Sequence, residues 1–183
     1  MMPATTIHAL PAIILLILGV VCAVTDLRKG RIYNAITYPA IGLGLCVQSA
    51  LYGFDGSQAA LLGFMVGFLP AFVVFATGGM GGGDVKLLGA VGALAGPTAA
   101  TETLFASLLF GAFFGLAQLA WHGQLFRSLG RCLHWLARLV LPGLERPAVD
   151  APKLKVRFGL AIACGIAVTL FDLRLGGLSN LFG

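Results

Sequence analysis

Six apolar runs dominate this chain, and all but the short fourth run are near the length of a membrane-spanning helix. A transmembrane helix needs about 20 mostly apolar residues. Only 10% of the 183 residues are charged, against about 25% in soluble domains. We therefore predict an all-α membrane protein, a polytopic bundle of about six transmembrane helices. The runs cover residues 10–25, 35–52, 59–77, 85–96, 103–121 and 158–173, the last extending to 175 at most.

The basic residues predict how these spans are oriented. All but one of the 12 Lys and Arg residues follow the first or third run or lie between the fifth and sixth; the exception is Arg174. Cytoplasmic loops carry such an excess. We predict a multi-pass protein with both termini outside, a cytoplasmic segment at about 123–157, and a single domain over 1–183. The charge thus reports orientation, and no nucleic-acid partner is predicted.

The cytoplasmic segment contains an amphipathic pattern. Over residues 124–141, apolar side chains and a second set containing Arg127, Arg131 and Arg138 each recur at helical spacing. This pattern predicts an interfacial helix with its arginines towards anionic lipid headgroups. A polar extension of the fifth span is the alternative.

Two acidic residues stand apart from the other five. Asp26 follows the first span and Asp84 precedes the fourth, so the topology places both at the cytoplasmic side, at similar depth. Carboxylates beside hydrocarbon are costly and indicate function. Two carboxyl groups in one site can share a proton and activate a water molecule for hydrolysis. Such a pair needs no metal or cofactor, and none is predicted. A proton or cation relay in a transport subunit is a second interpretation.

Glycine surrounds the second acid, in the stretch GGMGGGDVKL that begins at Gly78. Gly81 and Gly83 can adopt positive φ and let backbone approach a substrate closely. An extended peptide could pair with that backbone. The alternative is a flexible loop in which Asp84 only caps a helix.

These residues resemble a known family. Gly81-x-Gly83-Asp84 followed by Val85-Lys86-Leu87 is similar to the GxGD motif of the type IV prepilin peptidases, which are aspartyl intramembrane proteases. Asp26 is followed by a basic stretch and Ile32-Tyr33-Asn34, where the family has Ile-Pro-Asn, so the loop could turn differently. Residues 155–162 look like the family's entry into its last helix. The resemblance covers residues 26 to about 165 and is closest to the short Flp/Tad-pilus branch.

The resemblance implies roles for particular residues. Asp26 and Asp84 would be the catalytic pair, and Gly81 and Gly83 would shape the loop. Lys86 would meet a substrate carboxylate or serve as a positive-inside anchor, and Asn34 would hydrogen-bond loop backbone or help to hold the site.

The resemblance also implies a substrate and a location. The enzyme would remove the leader of a prepilin or pseudopilin at the cytoplasmic face of the bacterial inner membrane. The chain shows no CxxC methyltransferase insert, so peptidase activity alone is expected. A non-catalytic pilus or secretion assembly factor is a further alternative, and the oligomeric state stays open.

Overall fold

Helices make up the structure, a computed structural model that describes residues 9–123 and 158–175. The helices are α1 (Ala9–Lys29), α2 (Asn34–Ala76), α3 (Gly82–Trp121) and α4 (Phe158–Leu175). No strand occurs within the described ranges, which confirms the all-α prediction. The first three are long and apolar enough to cross a membrane, and α4 is a shorter apolar helix. The predicted interfacial helix over 124–141 lies outside the described residues.

A single glycine interrupts each of the two longest helices. A straight helix of 43 residues, the length of α2, would extend about 65 Å, twice the thickness of a hydrocarbon core. Gly53 in α2 has φ 62° and ψ −136°, and Gly96 in α3 has φ 84° and ψ 179°. Positive φ is readily accessible only to glycine. Each long helix therefore consists of two segments that meet at a glycine.

The reversal at Gly53 is tight. The hydroxyl oxygens of Ser49 and Ser57, on opposite sides of it, lie 2.8 Å apart. The sequence predicted loops at 53–58 and 96–102, and their extent is wrong, because the residues after each glycine remain helical. Helical backbone satisfies its own hydrogen bonds, so one non-helical residue leaves fewer polar groups to satisfy than a loop does.

Helices α1 and α4 run antiparallel. The Gly159 amide at the start of α4 donates to Asp26 near the end of α1. Seven residues earlier in α1, a Cβ added to Gly19 would lie 3.2 Å from Ile166, which is seven residues later in α4. Both contacts thus repeat after two helical turns, and they fix the register of the pair.

Glycine also sets the distance between α2 and α3. Gly63 packs against the carbonyl group of Gly92, and Gly92 packs against the carbonyl group of Gly63. Four residues on in α2, Gly67 packs against the carbonyl group of Leu88. Such close approach through small residues is typical of helix contacts inside membranes. Gly96 also lies against Gly63, and it is the residue that interrupts α3.

Apolar side chains cover the outside of the helices as well as the core. In α1, Leu15, Leu18 and Cys22 are buried on one side of the helix. The remaining faces of α1 are also largely apolar, and seven of their large side chains are more than 40% exposed: Leu10, Ile13, Leu16, Ile17, Val20, Val24 and Leu27. A helix that is hydrophobic all round is typical of a membrane span.

The described residues fall into two compact units. Residues 9–111 together with α4 form the first, which contains all the contacts given above. The second is described over residues 112–123, where the rings of Phe113 and Phe114 meet edge to face at 5.9 Å. The single domain expected over residues 1–183 stays a prediction.

Gln48 satisfies a backbone carbonyl close to the break in α3. Its side-chain amide donates to the Leu94 carbonyl oxygen at 2.8 Å, and the residue is 7% exposed. Gln48→Leu keeps a similar volume but leaves that carbonyl unpaired. We expect the free energy of unfolding to fall by about 1–3 kcal/mol, the cost of an unsatisfied buried polar group. The measurement is the unfolding midpoint of detergent-solubilised protein.

Ser49→Ala is the control for this substitution. Ser49 also hydrogen-bonds, to Leu45 of its own helix and to Ser57, but a helical carbonyl that loses a serine still has its helical partner. We expect a smaller loss of stability. Equal losses in the two variants would contradict a special role for the bond between Gln48 and Leu94.

Candidate functional site

Asp26 is a buried carboxylate held by the start of another helix. It lies in the last turns of α1, only 6% exposed. Its Oδ2 accepts a hydrogen bond from the Gly159 backbone N–H at 3.0 Å. Gly159 is the second residue of α4, so this N–H is one of those that a helix leaves without an internal partner. The positive end of the α4 dipole also favours a carboxylate there.

Asp84 lies in a comparable place, at the start of its own helix. Gly81 directly precedes α3, and Asp84 is the third residue of the helix. The Asp84 Oδ2 accepts a hydrogen bond from the Gly81 backbone N–H at 3.2 Å. A side chain that reaches back to the residue before its helix is one half of a capping box. Asp84 is partly buried, so water reaches this carboxylate more easily than it reaches Asp26.

Cys22 connects the two acids. It is completely buried and lies one turn before Asp26 on the same face of α1. Its thiol interacts electrostatically with the carboxylates of both Asp26 and Asp84. The predicted pair is thus gathered around one buried side chain. We call this part of the bundle, which contains Asp26, Asp84 and Gly159, the aspartate end.

The glycine-rich loop is built differently from the prediction. Neither Gly81 nor Gly83 has a positive φ; Gly78 does, at 81°. What requires glycine at 81 and 83 is close packing. A Cβ added to Gly83 would lie 2.9 Å from the Cβ of Ile32, and one added to Gly81 would lie 2.8 Å from the Asp84 Oδ2. The predicted close approach is therefore to this chain's own residues.

Met80 anchors the same loop. It is 8% exposed and belongs to the apolar core, whereas residues 77–79 and 81 are exposed. The loop thus presents backbone to its surroundings on both sides of one buried side chain. Sequence reasoning missed Met80, although it is the one apolar residue among five glycines.

Lys86 and Asn34 lie together at the aspartate end. The Lys86 ammonium donates to the Asn34 side-chain oxygen at 2.9 Å and lies 4.8 Å from the centre of the Tyr38 ring. The sequence predicted that Asn34 would hydrogen-bond loop backbone or help to hold the site, and its side chain accepts a hydrogen bond from Lys86. Lys86 is partly buried and Asn34 is exposed. Because one hydrogen bond and one ring hold the ammonium group, its position is fixed.

Further basic side chains surround this end. Arg28 and Lys29 are in the last turn of α1, and Arg31 follows in the exposed connection to α2. The Lys29 ammonium lies 5.4 Å from the centre of the Tyr33 ring. Across residues 9–123 and 158–175, no three His, Cys, Asp or Glu side chains are grouped so that they could hold a metal ion.

Comparison with known proteins identifies the family of the chain. Residues 13–116 match the model of the Type IV leader peptidase family, and this range is more than half of the chain. The chain belongs to this family. The matched range includes both Asp26 and Asp84, and the predicted membership of the type IV prepilin peptidase family is confirmed. Family membership together with the apolar helices makes the chain an integral membrane protein.

Several curated relatives are named prepilin leader peptidase/N-methyltransferase. The chain is 33% identical to the protein of Bacillus subtilis over 114 residues, which cover 61% of this chain and 46% of that one. The match to Aeromonas hydrophila is 38% over 111 residues, 56% of this chain and 38% of that one. The match to Burkholderia pseudomallei is 32% over 108 residues, 55% of this chain and 34% of that one. The chain therefore spans less than half the length of these relatives. No solved structure matches significantly.

Proposed function

We propose that this protein is a membrane-embedded aspartic endopeptidase that removes the leader peptide from type IV prepilins or pseudopilins. The observation that carries the proposal is the pair of carboxylates around the buried Cys22, in a chain of the Type IV leader peptidase family. The curated relatives are named for the same activity. Asp26 and Asp84 are the proposed catalytic residues.

The chemistry follows from two carboxyl groups that hold one proton between them. The ionised group takes a proton from a water molecule as that water attacks the scissile carbonyl carbon, and the protonated group donates its proton to the carbonyl oxygen. The tetrahedral intermediate then collapses: the group that took the proton from water gives it to the leaving nitrogen, the C–N bond breaks, and a hydroxyl group of the intermediate returns its proton to the other carboxylate. One water is consumed, and the pair returns to its starting state with one proton.

The glycine-rich loop is the proposed seat of the substrate backbone. A helical substrate must be extended around the scissile bond before water can reach its carbonyl group. The backbone N–H groups of residues 77–79 and 81 donate within the chain, so the exposed carbonyl groups of residues 77–79 would accept hydrogen bonds from such a segment. The buried Met80 side chain anchors this backbone to the apolar core.

The proposed orientation places the aspartate end at the cytoplasmic face of the bacterial inner membrane. Arg28, Lys29, Arg31 and Lys86 all lie there, as the positive-inside rule favours. The reversals at Gly53 and Gly96 support six crossings, with both termini outside, in place of three very long ones. Within the family, the resemblance to the Flp/Tad branch leads us to propose a Flp-type prepilin as substrate and cleavage without N-methylation.

Lys86 is proposed to bind a carboxylate of the substrate. Its ammonium is held by Asn34 and Tyr38 and is not committed to an ion pair in the contacts given above. For Lys86→Met we expect KM for a prepilin with an acidic residue near its cleavage site to rise about tenfold, since a hydrogen bond to a charged group contributes roughly 1.5–3 kcal/mol. The measurement is steady-state cleavage of a peptide substrate.

A substrate variant is the control for Lys86. When that acidic residue is replaced by its amide, wild type and Lys86→Met should have similar KM values. If Lys86→Met raises KM equally for both substrates, Lys86 does not recognise the carboxylate and acts as an anchor.

Leader cleavage in cells tests the proposed function. The protein is co-expressed with a Flp-type prepilin, or with a prepilin of another type as the specificity control, and processing is read from the gel shift. Mass spectrometry of the new N-terminus distinguishes cleavage alone from cleavage with methylation. We expect cleavage of the Flp-type prepilin by wild type and none by Asp84→Asn. Processing that is independent of Asp84 would instead favour an assembly factor, and absence of processing in every combination would favour a transport subunit.

A further inference from the structure

Gly159 touches Asp26 of the proposed catalytic pair, although it belongs neither to the GxGD motif nor to the stretch that follows Asp26. It lies 133 residues after Asp26 and outside the range that matches the family. Its backbone N–H donates to the Asp26 Oδ2, and both residues are buried. A hydrogen bond to a carboxylate in such surroundings is strong and directional.

The missing side chain of Gly159 matters as much as its amide. A Cβ added there would lie 2.8 Å from the Asp26 Cβ, 2.9 Å from its Oδ2 and 3.0 Å from its Cγ. Rotation about χ1 of Asp26 moves its oxygens but not its Cβ. The contact could therefore be relieved only by a shift of α1 or α4, and either shift would move the carboxylate.

We propose that Gly159 is a positioning residue for Asp26. Its amide fixes one carboxylate oxygen, and its bare Cα lets α4 approach close enough for that bond. The proposal rests on the proposed function, because it gives the purpose of the placement: Asp26 must share a proton with Asp84. The Cys22 thiol lies one turn before Asp26 and is close enough to both acids for their charges to act on it.

The test compares Gly159→Ala with Gly165→Ala. Gly165 is a second buried glycine of α4, and a Cβ added to it would lie 2.9 Å from the Thr103 carbonyl oxygen, away from Asp26. Both variants crowd the same helix, but only one crowds the carboxylate. Each is purified in detergent, the folded fraction is measured, and kcat and KM for prepilin cleavage are given per folded protein.

We expect kcat of Gly159→Ala to fall roughly 100-fold with little change in KM, since a misplacement of about 1 Å costs that much. Gly165→Ala should lower stability while kcat per folded protein stays close to wild type. Equal kcat values in the two variants would overturn the proposal.

A second measurement does not depend on activity. The shift in unfolding midpoint caused by Gly159→Ala is measured in wild type and in an Asp26→Gly background, which lacks the contacted Cβ. We expect a smaller shift in that background, whereas the shift caused by Gly165→Ala should be the same in both. If wild type cleaves no prepilin, the proposed function fails, but the unfolding midpoints still test the contact between Gly159 and Asp26. If Gly159→Ala shifts the midpoint equally with and without the Asp26 side chain, the proposed positioning role is overturned.

Discussion

Replacement of either Asp26 or Asp84 by asparagine is expected to lower kcat for prepilin cleavage by about 10³-fold or more. Asparagine keeps the size of aspartate and an oxygen that can still accept from Gly159 or Gly81, so the fold should be retained. It cannot exchange a proton with water. Because the two carboxyl groups act as a unit, the double variant should be little worse than either single variant.

Asp55→Asn is the matched control for this prediction. Asp55 is exposed and lies beside the reversal at Gly53, away from the aspartate end. The Asp55→Asn variant should cleave prepilin at the wild-type rate. All variants are compared at equal amounts of folded, purified protein with one peptide substrate. Cleavage at the wild-type rate by either single variant of the pair would rule out the aspartyl mechanism, and fully additive losses would rule out a shared proton.

A leucine at Gly92 is expected to prevent the protein from folding stably. The backbones of Gly63 and Gly92 touch directly, so no change of rotamer can make room for a side chain. Overpacking of a core commonly costs about 1–3 kcal/mol. Here α2 and α3 would have to separate along the contacts at Gly63 and Gly67, so we expect at least about 3 kcal/mol. Yield of monodisperse protein and the unfolding midpoint are the measurements.

Gly42→Leu is the control for the leucine substitution. Gly42 is an exposed glycine inside α2, and no atom outside its own stretch of helix lies within 4 Å of the Cβ position. Glycine within a helix is less stable than alanine by roughly 0.5–1 kcal/mol, so this variant should be neutral or slightly stabilised. Normal yield of Gly92→Leu would show that the two helices do not need their close contact.

Hydropathy predicted the helical class but not the form of the connections. Asp55, Ser57 and Glu102 lower the apolar character after Gly53 and Gly96, so both stretches were expected to be loops. In the structure they are helical, because one glycine with positive φ is enough to break the helix. Polarity reports where a chain meets water, whereas backbone conformation decides where a helix stops.

The two catalytic residues proposed from the sequence lie at the same end of the bundle, but the residues that position them could not be predicted. Asp26 and Asp84 were found because carboxylates are rare and costly in such a chain. Gly159 is one of 26 glycines, and its contact with Asp26 depends on the packing of α4 against α1. Gly159 lies within residues 155–162, which resemble the family's entry into its last helix, but that resemblance does not indicate a partner for this glycine.

The contact between Asp26 and Gly159 also bears on how the protein is made. The ribosome adds residue 26 early and residue 159 much later, after both members of the carboxylate pair are already in the nascent chain. Asp26 then has no α4 to hold it. By our inference, a chain still in synthesis contains the two acids but not their final geometry. On the proposed function, competence to cut would therefore arise only when the last described helix is inserted.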